Sequence, residues 1–188
     1  MFEFTMLDHL RLTFGHIVYR HKAHTSIAHA RSRLSRWLRG GEAALSAAVL
    51  FTALGVAFQR GAAYAIACAI LASIALLVLV VHLTLDLDRT AQAHAACAAK
   101  LWQMREQYRA LMSDLVDGAI SVDTARARRD ALISGLHAIY ENAPPADAQA
   151  YQAAAKAILT SEDALLPDEE IDRFLPKSLQ KSAKPAPA

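Results

Sequence analysis

The chain has 188 residues, enough for one modest domain, and 54% of them are hydrophobic. The formal net charge is only +2, but residues 1–41 hold seven basic and two acidic groups, whereas residues 86–188 hold twelve basic and fifteen acidic groups. The sequence has no Gly-rich phosphate loop, nucleophile elbow, Cys pair at metal spacing or zinc-protease helix motif. These absences argue against an enzyme, and no cofactor is predicted.

Residues 1–41 are predicted to form a cytoplasmic, basic amphipathic arm. Apolar residues recur in it at helical spacing: Leu7, Leu10, Phe14 and Ile17 or Val18. The stretch from Arg31 to Trp37 places an indole and several arginines next to a long apolar run, as expected for a helix at a membrane interface. We therefore expect the arm to lie against anionic headgroups and the chain to bend at Gly40-Gly41.

Two uncharged runs follow the arm, one from Ala43 to Gln59 and one from Gly61 to Leu85. A helix of about 20 such residues crosses a bilayer, and the first run reaches that length if Glu42 lies at the interface. The long preceding segment, which does not begin with a basic region, argues against a cleavable signal peptide. A buried core hairpin of a soluble domain is disfavoured because the remaining chain lacks the apolar surface to enclose two such helices. Residues 42–87 are thus predicted to form a two-span transmembrane hairpin.

The short connection Gln59-Arg60-Gly61 forces the two spans into an antiparallel pair. It holds a single basic residue, whereas basic residues are common on the other side of both spans, so the positive-inside bias places both termini in the cytoplasm. Cys68 and Cys97 lie tens of ångströms apart if one helix carries both, at about 1.5 Å per residue. No intrachain disulfide is expected, in keeping with a reducing compartment.

A few polar side chains interrupt the spans, and they are the candidate pore-lining residues: Ser46, Thr52, Ser73, His82 and Thr84. A hydroxyl group can donate to its own helix backbone, so any one of them is more often structural than pore-lining. His82 has two open interpretations, a side chain that faces protein or water and one that lies in the interface. Ala65, Ala69 and Ser73 form a small-residue face that allows close helix packing. Because two helices cannot enclose a pore, conduction requires several copies.

After the spans, residues 88–166 are predicted to form a cytoplasmic helical domain. Its first helix is expected to continue the second span without a break and to end at Gly118. Its apolar residues step by four and three in a heptad-like seam through which copies are expected to assemble: Cys97, Leu101, Met104, Tyr108, Leu111 and Leu115.

Two further helices complete the predicted domain. Ser121 is a good N-cap for one that starts at Val122 and stops at Asn142-Ala143-Pro144-Pro145. The other begins near Asp147 and aligns Tyr151, Ala155 and Ile158. Residues 167–188, rich in charge and in Lys, Ala and Pro, are predicted to be a flexible tail.

Basic side chains on the first two of these helices are the candidate ligand-binding residues: Lys100, Arg105, Arg109, Arg126, Arg128 and Arg129. Guanidinium groups that converge across subunits match the oxygens of a phosphate-bearing ligand. The alternative is a solvated face whose arginines are balanced by Glu106, Asp123 and Asp130. His21 and His24 have a spacing that allows a shared metal ion, but no carboxylate or thiolate lies near them in sequence, so no metal site is predicted.

The helical motifs also resemble a known family: Leu101-Trp102, Tyr108-Arg109-Ala110-Leu111, Asp114, Arg129-Asp130-Ala131-Leu132, Ile139-Tyr140, Ala143-Pro144 and Tyr151. With the basic arm and the two spans, they resemble the SLATT family of bacterial two-span effector domains over roughly residues 1–165. The resemblance implies a role in anti-phage or conflict systems, a membrane pore, and a partner nucleotidyltransferase that makes a nucleotide or oligonucleotide signal.

The resulting hypothesis is an all-α, homo-oligomeric channel of the bacterial inner membrane, gated through its cytoplasmic helices, whose opening stops growth. Whether the signal opens or closes the pore stays open, since either needs only different affinities for two states. Gating predicts that alanine at Arg126, Arg128 and Arg129 removes control. Two alternatives remain: a membrane-anchored scaffold that holds a partner protein and conducts nothing, and a holin-like lesion former that needs no ligand.

Overall fold

The computed structural model describes residues 5–145 and 168–181, and the regular structure of these residues is entirely helical. The helices are α1 (Met6–Ala57), α2 (Ala62–Leu85), α3 (Leu87–Val116), α4 (Val122–Glu141) and α5 (Asp168–Asp172), followed by a 3-10 turn at Lys177–Leu179. The predicted all-α class is confirmed for this part of the chain. The helix predicted to begin near Asp147, with Tyr151, Ala155 and Ile158, lies outside the described residues.

Contacts divide the chain into two compact units, one of residues 28–92 and one of residues 1–27 together with 93–188. Helices α1 and α3 contribute residues to both units. The division differs from the four consecutive segments expected from composition, 1–41, 42–87, 88–166 and 167–188. The difference arises because the N-terminal part of the arm belongs to the same unit as most of α3 and α4.

Local sequence signals set several helix ends. At the start of α1 the Thr5 hydroxyl accepts a hydrogen bond from the Asp8 amide at 3.1 Å, while the Asp8 carboxylate accepts one from the Thr5 amide at 3.2 Å, which makes a reciprocal capping box. Ser121 caps α4 as predicted, accepting from the Thr124 amide at 3.2 Å.

The predicted stop at Gly118 is also present. Its φ of +68° permits the left-handed turn in which the amides of Gly118 and Ala119 donate to the carbonyls of Leu115 and Asp114. These bonds use carbonyls left without partners at the end of α3.

The predicted bend at Gly40-Gly41 is absent, because α1 runs through both glycines without interruption. A glycine in a helix interior costs about 0.5–1 kcal/mol relative to alanine, which the backbone hydrogen bonds of a long helix can offset. Nothing lies within 4 Å of a Cβ placed at either position. The two glycines therefore weaken the helix without breaking it.

The expectation of one unbroken helix from the second span to Asp117 is wrong at a single residue. Asp86 adopts φ 39° and ψ 48°, the left-handed conformation, and separates α2 from α3. Asp is among the few residues other than Gly that tolerate this conformation. A sequence scan for Gly and Pro cannot find a break made by an aspartate.

The heptad-like seam of α3 packs inside its own chain. Leu101, Tyr108, Leu111 and Met112 are buried in one core with residues of α1 and α4, and Met104 and Leu115 are partly buried against it. Burial raises the pKa of Tyr108 to about 12. The expectation that this seam joins copies is therefore not met, because its apolar side chains already have partners.

The apolar face of the N-terminal arm lies in the same core. Its buried members are Leu10, Phe14, Ile17 and Val18. Residues of this face are thus unavailable to a bilayer, and the expectation that the whole arm lies against headgroups is wrong for the part before Ile27. The amphipathic pattern predicts a buried face correctly, but this face packs against protein.

Residues 168–181 pack as well, although they fall within the predicted flexible tail. Ile171, Leu175 and Leu179 are buried in the core with Leu10 and Phe14. Apolar residues at four-residue intervals, among the charged and Pro-rich residues, supply this contact. The composition of this segment alone does not predict the contact.

A buried ion pair fastens this segment to α1. The Arg11 side chain is 2% exposed, and its Nη2 atom lies 2.7 Å from Oδ1 of Asp172 and 3.3 Å from Oδ1 of Asp168. The same guanidinium donates to the carbonyl of Leu179. Lys181 lies 3.2 Å from Asp8 and 3.0 Å from Asp168, and these bonds raise the pKa of Lys181, that to Asp168 contributing most.

Two histidines meet in the same unit. The Nδ1 atoms of His24 and His94 lie 2.9 Å apart, and both side chains are buried. One ring must donate and the other accept, so two imidazolium rings cannot keep this contact. Burial, with the nearby His94 and Arg20, lowers the pKa of His24 to about 4.

Acid is therefore expected to destabilise this unit. The unfolded chain binds a proton at His24 near pH 6.5 and the folded chain only near pH 4, so stability is lost as pH falls through that window, by about 3 kcal/mol. His24→Asn keeps a donor beside His94 but does not titrate. We expect urea unfolding in detergent at pH 7 and pH 4 to show a smaller loss for His24→Asn, while His137→Asn, an exposed control, keeps the wild-type loss. Equal losses in all three proteins contradict the assignment.

Candidate functional site in the apolar helix pair

Helices α1 and α2 run antiparallel within the unit of residues 28–92. Near the turn, the ring of Tyr64 lies against Gly55, and further along the Sγ atom of Cys68 lies 3.9 Å from the carbonyl oxygen of Val49. The half-buried residues of α2 step by four and three along one face: Tyr64, Cys68, Leu71, Ala75, Val78 and His82. Small and medium side chains at these positions allow the helices to lie close together.

The turn between them uses two residues with positive φ. Gln59 has φ 53° and Gly61 has φ 108°, and the amides of Gln59 and Arg60 donate to the carbonyls of Val56 and Gly55. The predicted reversal at Gln59-Arg60-Gly61 is present, and Gly61 supplies the freedom assigned to it.

We call the contact between α1 and α2 the seam. Away from it, the two helices expose a nearly continuous apolar surface. Both are long and apolar enough to cross a membrane by length and composition. The large exposed side chains include Leu50, Phe51, Leu54, Phe58, Ile66, Ile70, Ile74, Leu76, Leu77, Leu79, Val80 and Leu83. An apolar surface of this extent needs lipid or other helices to cover it.

An ionisable pair closes the end of the seam opposite the turn. The Nδ1 atom of His82 lies 2.8 Å from Oε1 of Glu42, and the two side chains are 15% and 21% exposed. His82 thus contacts protein, through the Glu42 carboxylate, at the end of the two spans. Ionisable groups at the end of a membrane helix commonly pair in this way, and such pairs are functional candidates.

Next to this pair lies a second polar contact between α1 and the start of α3. Oδ1 of Asp88 accepts a hydrogen bond from the Ser35 hydroxyl at 2.7 Å, and its other oxygen pairs with Arg39. The bond from Ser35 lowers the pKa of Asp88, and Arg39 lowers it further. We call Ser35, Arg39, Glu42, His82 and Asp88 the polar collar.

The candidate pore-lining residues fall into two sets. Thr52 and His82 lie on the half-buried seam inside the chain, whereas Ser46, Ser73 and Thr84 are exposed. The hydroxyls of Thr52, Ser73 and Thr84 each donate to a backbone carbonyl of their own helix, that of Ser73 to Ala69 at 2.8 Å. These bonds lower the cost of placing each hydroxyl in lipid, as expected from the sequence.

The arginines of α4 are individually ion-paired. Arg126 bonds Asp123 at 2.9 Å, Arg128 bonds Asp114 at 2.9 Å, and Arg129 bonds Asp130 at 2.7 Å. Each guanidinium is turned toward a different carboxylate. This set matches the charge-balanced alternative, and the side chains do not converge within one chain.

The basic residues of α3 are balanced less completely. Arg105 and Arg109 share one carboxylate, that of Glu106, and Lys100 is exposed with no ion pair among the described residues. Arg105 also lies close enough to His21 to lower the pKa of that imidazole, although burial contributes more and Lys22 adds to the effect. The surface around Arg105 and Arg109 therefore keeps an excess of positive charge.

Comparison with known families decides the family to which this chain belongs. The profile of the SMODS and SLOG-associating 2TM effector domain family 4, SLATT family 4, matches residues 6–170. The chain belongs to this family. No curated protein and no solved structure matches it.

Membership confirms the resemblance found in the sequence and explains the two apolar helices. A SLATT domain is a two-transmembrane effector of defence systems, and the family is associated with SMODS nucleotidyltransferase systems. The match covers α1 through the first residues of α5. The apolar pair and its polar collar thus lie within the part that defines a SLATT domain.

Two features of this SLATT domain could not be read from sequence. The partner of His82 is Glu42, forty positions away, and only their antiparallel packing brings them together. His24 meets His94 and not His21, the neighbour considered for a metal site. Among residues 5–145 and 168–181, no cluster of three or more His, Cys, Asp or Glu side chains is able to hold a metal ion.

Proposed function

We propose that this SLATT domain is a homo-oligomeric ion-conducting pore of the bacterial inner membrane, gated by a nucleotide or oligonucleotide. The observation that carries the proposal is the exposed hydroxyl pair Ser73 and Thr84 on the otherwise apolar exposed surface of α2. Eleven residues make about three helical turns, so the two hydroxyls share one outward face. Several copies that turn this face inward enclose a path that two helices alone cannot.

Small residues near Ser73 support a role for this face in the assembly of several copies. Ala65 and Ala69 precede Ser73 at four-residue intervals and are exposed. Alanine and serine allow neighbouring helices to approach closely, which is how helices associate in lipid. We assign Ser46, on the exposed side of α1, to the same environment, and Thr52 and His82 to the interior of each hairpin.

The charge distribution supports a cytoplasmic placement of both termini. Basic residues are concentrated in the part of α1 up to Arg39 and again after α2 ends, while the turn carries Arg60 alone. The signal-binding helices are then on the side where a nucleotidyltransferase acts.

We assign the ligand phosphate to Arg105 and Arg109. Two guanidinium groups on one carboxylate leave donors available for phosphate oxygens, whereas every arginine of α4 has its own carboxylate. This assignment narrows the six candidate ligand-binding residues and sets aside Arg126, Arg128 and Arg129. Those residues become the matched control.

Ion flux from vesicles tests the assignment. The purified protein in vesicles is expected to change its flux when cyclic nucleotides or short oligonucleotides are added. Arg105→Ala/Arg109→Ala should reduce the apparent affinity of that response at least tenfold, since charge-assisted hydrogen bonds contribute about 1.5–3 kcal/mol each. Arg126→Ala/Arg128→Ala should respond like the wild type. The reverse pattern refutes the α3 assignment and restores the α4 arginines.

The two alternatives are now distinguishable. The scaffold hypothesis relied on the heptad-like seam to hold a partner, and those side chains are buried within this chain, which counts against it. A holin-like lesion former predicts flux that no ligand changes. Ligand-responsive flux therefore excludes both.

A further inference from the structure

Three arginines just before the apolar pair have no acidic partner. Arg31, Arg33 and Arg36 make no ion pair with any described residue, and Arg36 donates only to the Ser32 carbonyl, at 3.4 Å. The arginines of α3 and α4, by contrast, each lie within 4 Å of a carboxylate. Positive charge is thus left unbalanced on this stretch of α1.

The outward face of this stretch combines cations with an aromatic ring. Ser35 and Leu38 mark the side of α1 turned toward the seam, since Ser35 is buried and Leu38 half-buried. Arg33, Arg36 and Trp37 are spaced by three and four, so they share the opposite, exposed face. Trp37 is 76% exposed.

The position of this face along α1 is that of the polar collar. Trp37 lies between Ser35 and Arg39, one to two turns before Glu42, after which the exposed surface becomes apolar. Indole rings and arginines at the end of a membrane helix lie at the level of lipid headgroups. The side chains therefore sit where a bilayer presents its phosphates.

We propose that Arg33, Arg36 and Trp37 form a binding site for the phosphate groups of anionic phospholipids. The guanidinium groups donate to phosphate oxygens, and the indole lies among the glycerol and upper acyl groups with its N–H toward water. Arg31, four positions before Ser35, lies half-buried on the side turned toward the seam and is not part of the site. The site rests on the membrane placement shown by the family and is independent of whether the protein conducts.

A lipid headgroup fits this face better than a soluble phosphate compound. Leu34 and Trp37, three residues apart, expose large apolar surfaces beside the arginines. A bilayer covers those surfaces and supplies the counter-charge together, whereas inorganic phosphate or a nucleotide phosphate covers only the cations. The face therefore selects an anionic bilayer surface.

Fluorescence quenching of Trp37 tests the proposal directly. The chain has two tryptophans, so Trp102→Phe leaves Trp37 as the sole reporter. This full-length variant is reconstituted in mixed vesicles containing either brominated phosphatidylglycerol or brominated phosphatidylcholine at equal mole fraction. We expect stronger quenching by the anionic lipid at 0.1 M salt. Each unpaired arginine should contribute a preference of up to about fivefold, from about 1 kcal/mol per basic residue near an anionic surface.

Charge variants in the same background identify the source of the preference. Arg33→Gln/Arg36→Gln should bring quenching by the two lipids to near equality, while Arg126→Gln/Arg128→Gln, whose arginines are paired with carboxylates, should keep the anionic preference. Equal quenching before any arginine is changed overturns the proposal. So does a preference abolished by millimolar inorganic phosphate at constant ionic strength, because the site then binds free phosphate.

Discussion

Arg11→Met is expected to destabilise the unit built from residues 1–27 and 93–188 by about 3–5 kcal/mol. Arg11 and Asp172 are both buried, and they lie 2.7 Å apart. Methionine fills much of the same volume but removes the Arg11 guanidinium from the buried Asp172 carboxylate, and it removes the donor to the Leu179 carbonyl. Urea unfolding in detergent, followed by circular dichroism, measures the loss.

A double variant separates the ion pair from the packing of the side chain. Arg11→Met/Asp172→Leu removes both charges and is expected to recover part of the lost stability, because replacing both members of a buried pair with apolar residues is often close to neutral. Arg126→Met breaks a comparable pair with Asp123 at the surface and should cost no more than about 1 kcal/mol. If Arg11→Met lowers the free energy of unfolding no more than Arg126→Met does, the buried ion pair does not hold residues 168–181 against α1.

Gly55→Leu is expected to separate α1 from α2 near their turn. A Cβ atom at Gly55 overlaps the ring of Tyr64 as far as its Cγ atom, at 2.7 Å, so a shift of the far end of the ring does not relieve the overlap. Overpacking of this kind typically costs about 1–3 kcal/mol, and here it acts on the seam that positions the candidate pore helix. Conductance should fall with the loss of pairing.

Disulfide formation across the seam reports the pairing itself. Val49→Cys in a Cys97→Ser background places one new thiol near Cys68, whose Sγ atom lies 3.9 Å from the Val49 carbonyl. Oxidation should form an intrachain disulfide, and adding Gly55→Leu should suppress it. Gly40→Leu is the matched control, since nothing lies within 4 Å of a Cβ at Gly40. Equal yields in the Gly55 and Gly40 variants contradict the close approach at Gly55.

Sequence reasoning succeeded where the signal is local. Ser121 and Gly118 act on their own helix ends through side-chain or backbone hydrogen bonds a few residues away, so a short motif contains the needed information. The reversal at Gly61 and the two apolar runs are local for the same reason.

It failed where a pattern has more than one possible partner. The apolar stripes of the arm and of α3 predict buried faces correctly, but periodicity does not say whether lipid, another copy or the same chain covers them. Here Phe14 and Tyr108 lie in one core of the same chain. The break at Asp86 was missed because an aspartate in a left-handed conformation has no composition signal.

The candidate site shows the same limits. Polar residues in the spans were found from sequence because they stand out against an apolar background, but only packing separates the seam position of His82 from the exposed position of Ser73. Likewise, the sequence offers three basic candidates on each of α3 and α4, whereas the ion pairs leave more unbalanced charge on α3 around Arg105 and Arg109.

Planar-bilayer recording of the purified protein tests the central claim most directly. We predict discrete current steps whose open fraction changes when a cyclic nucleotide or short oligonucleotide is added, and whose unit conductance changes in Ser73→Leu, a substitution on the proposed pore face. Thr52→Val, on the seam, should leave the unit conductance unchanged. A silent bilayer, with the protein inserted and oligomeric and the nucleotides present, contradicts the pore and leaves the membrane effector to act by another means.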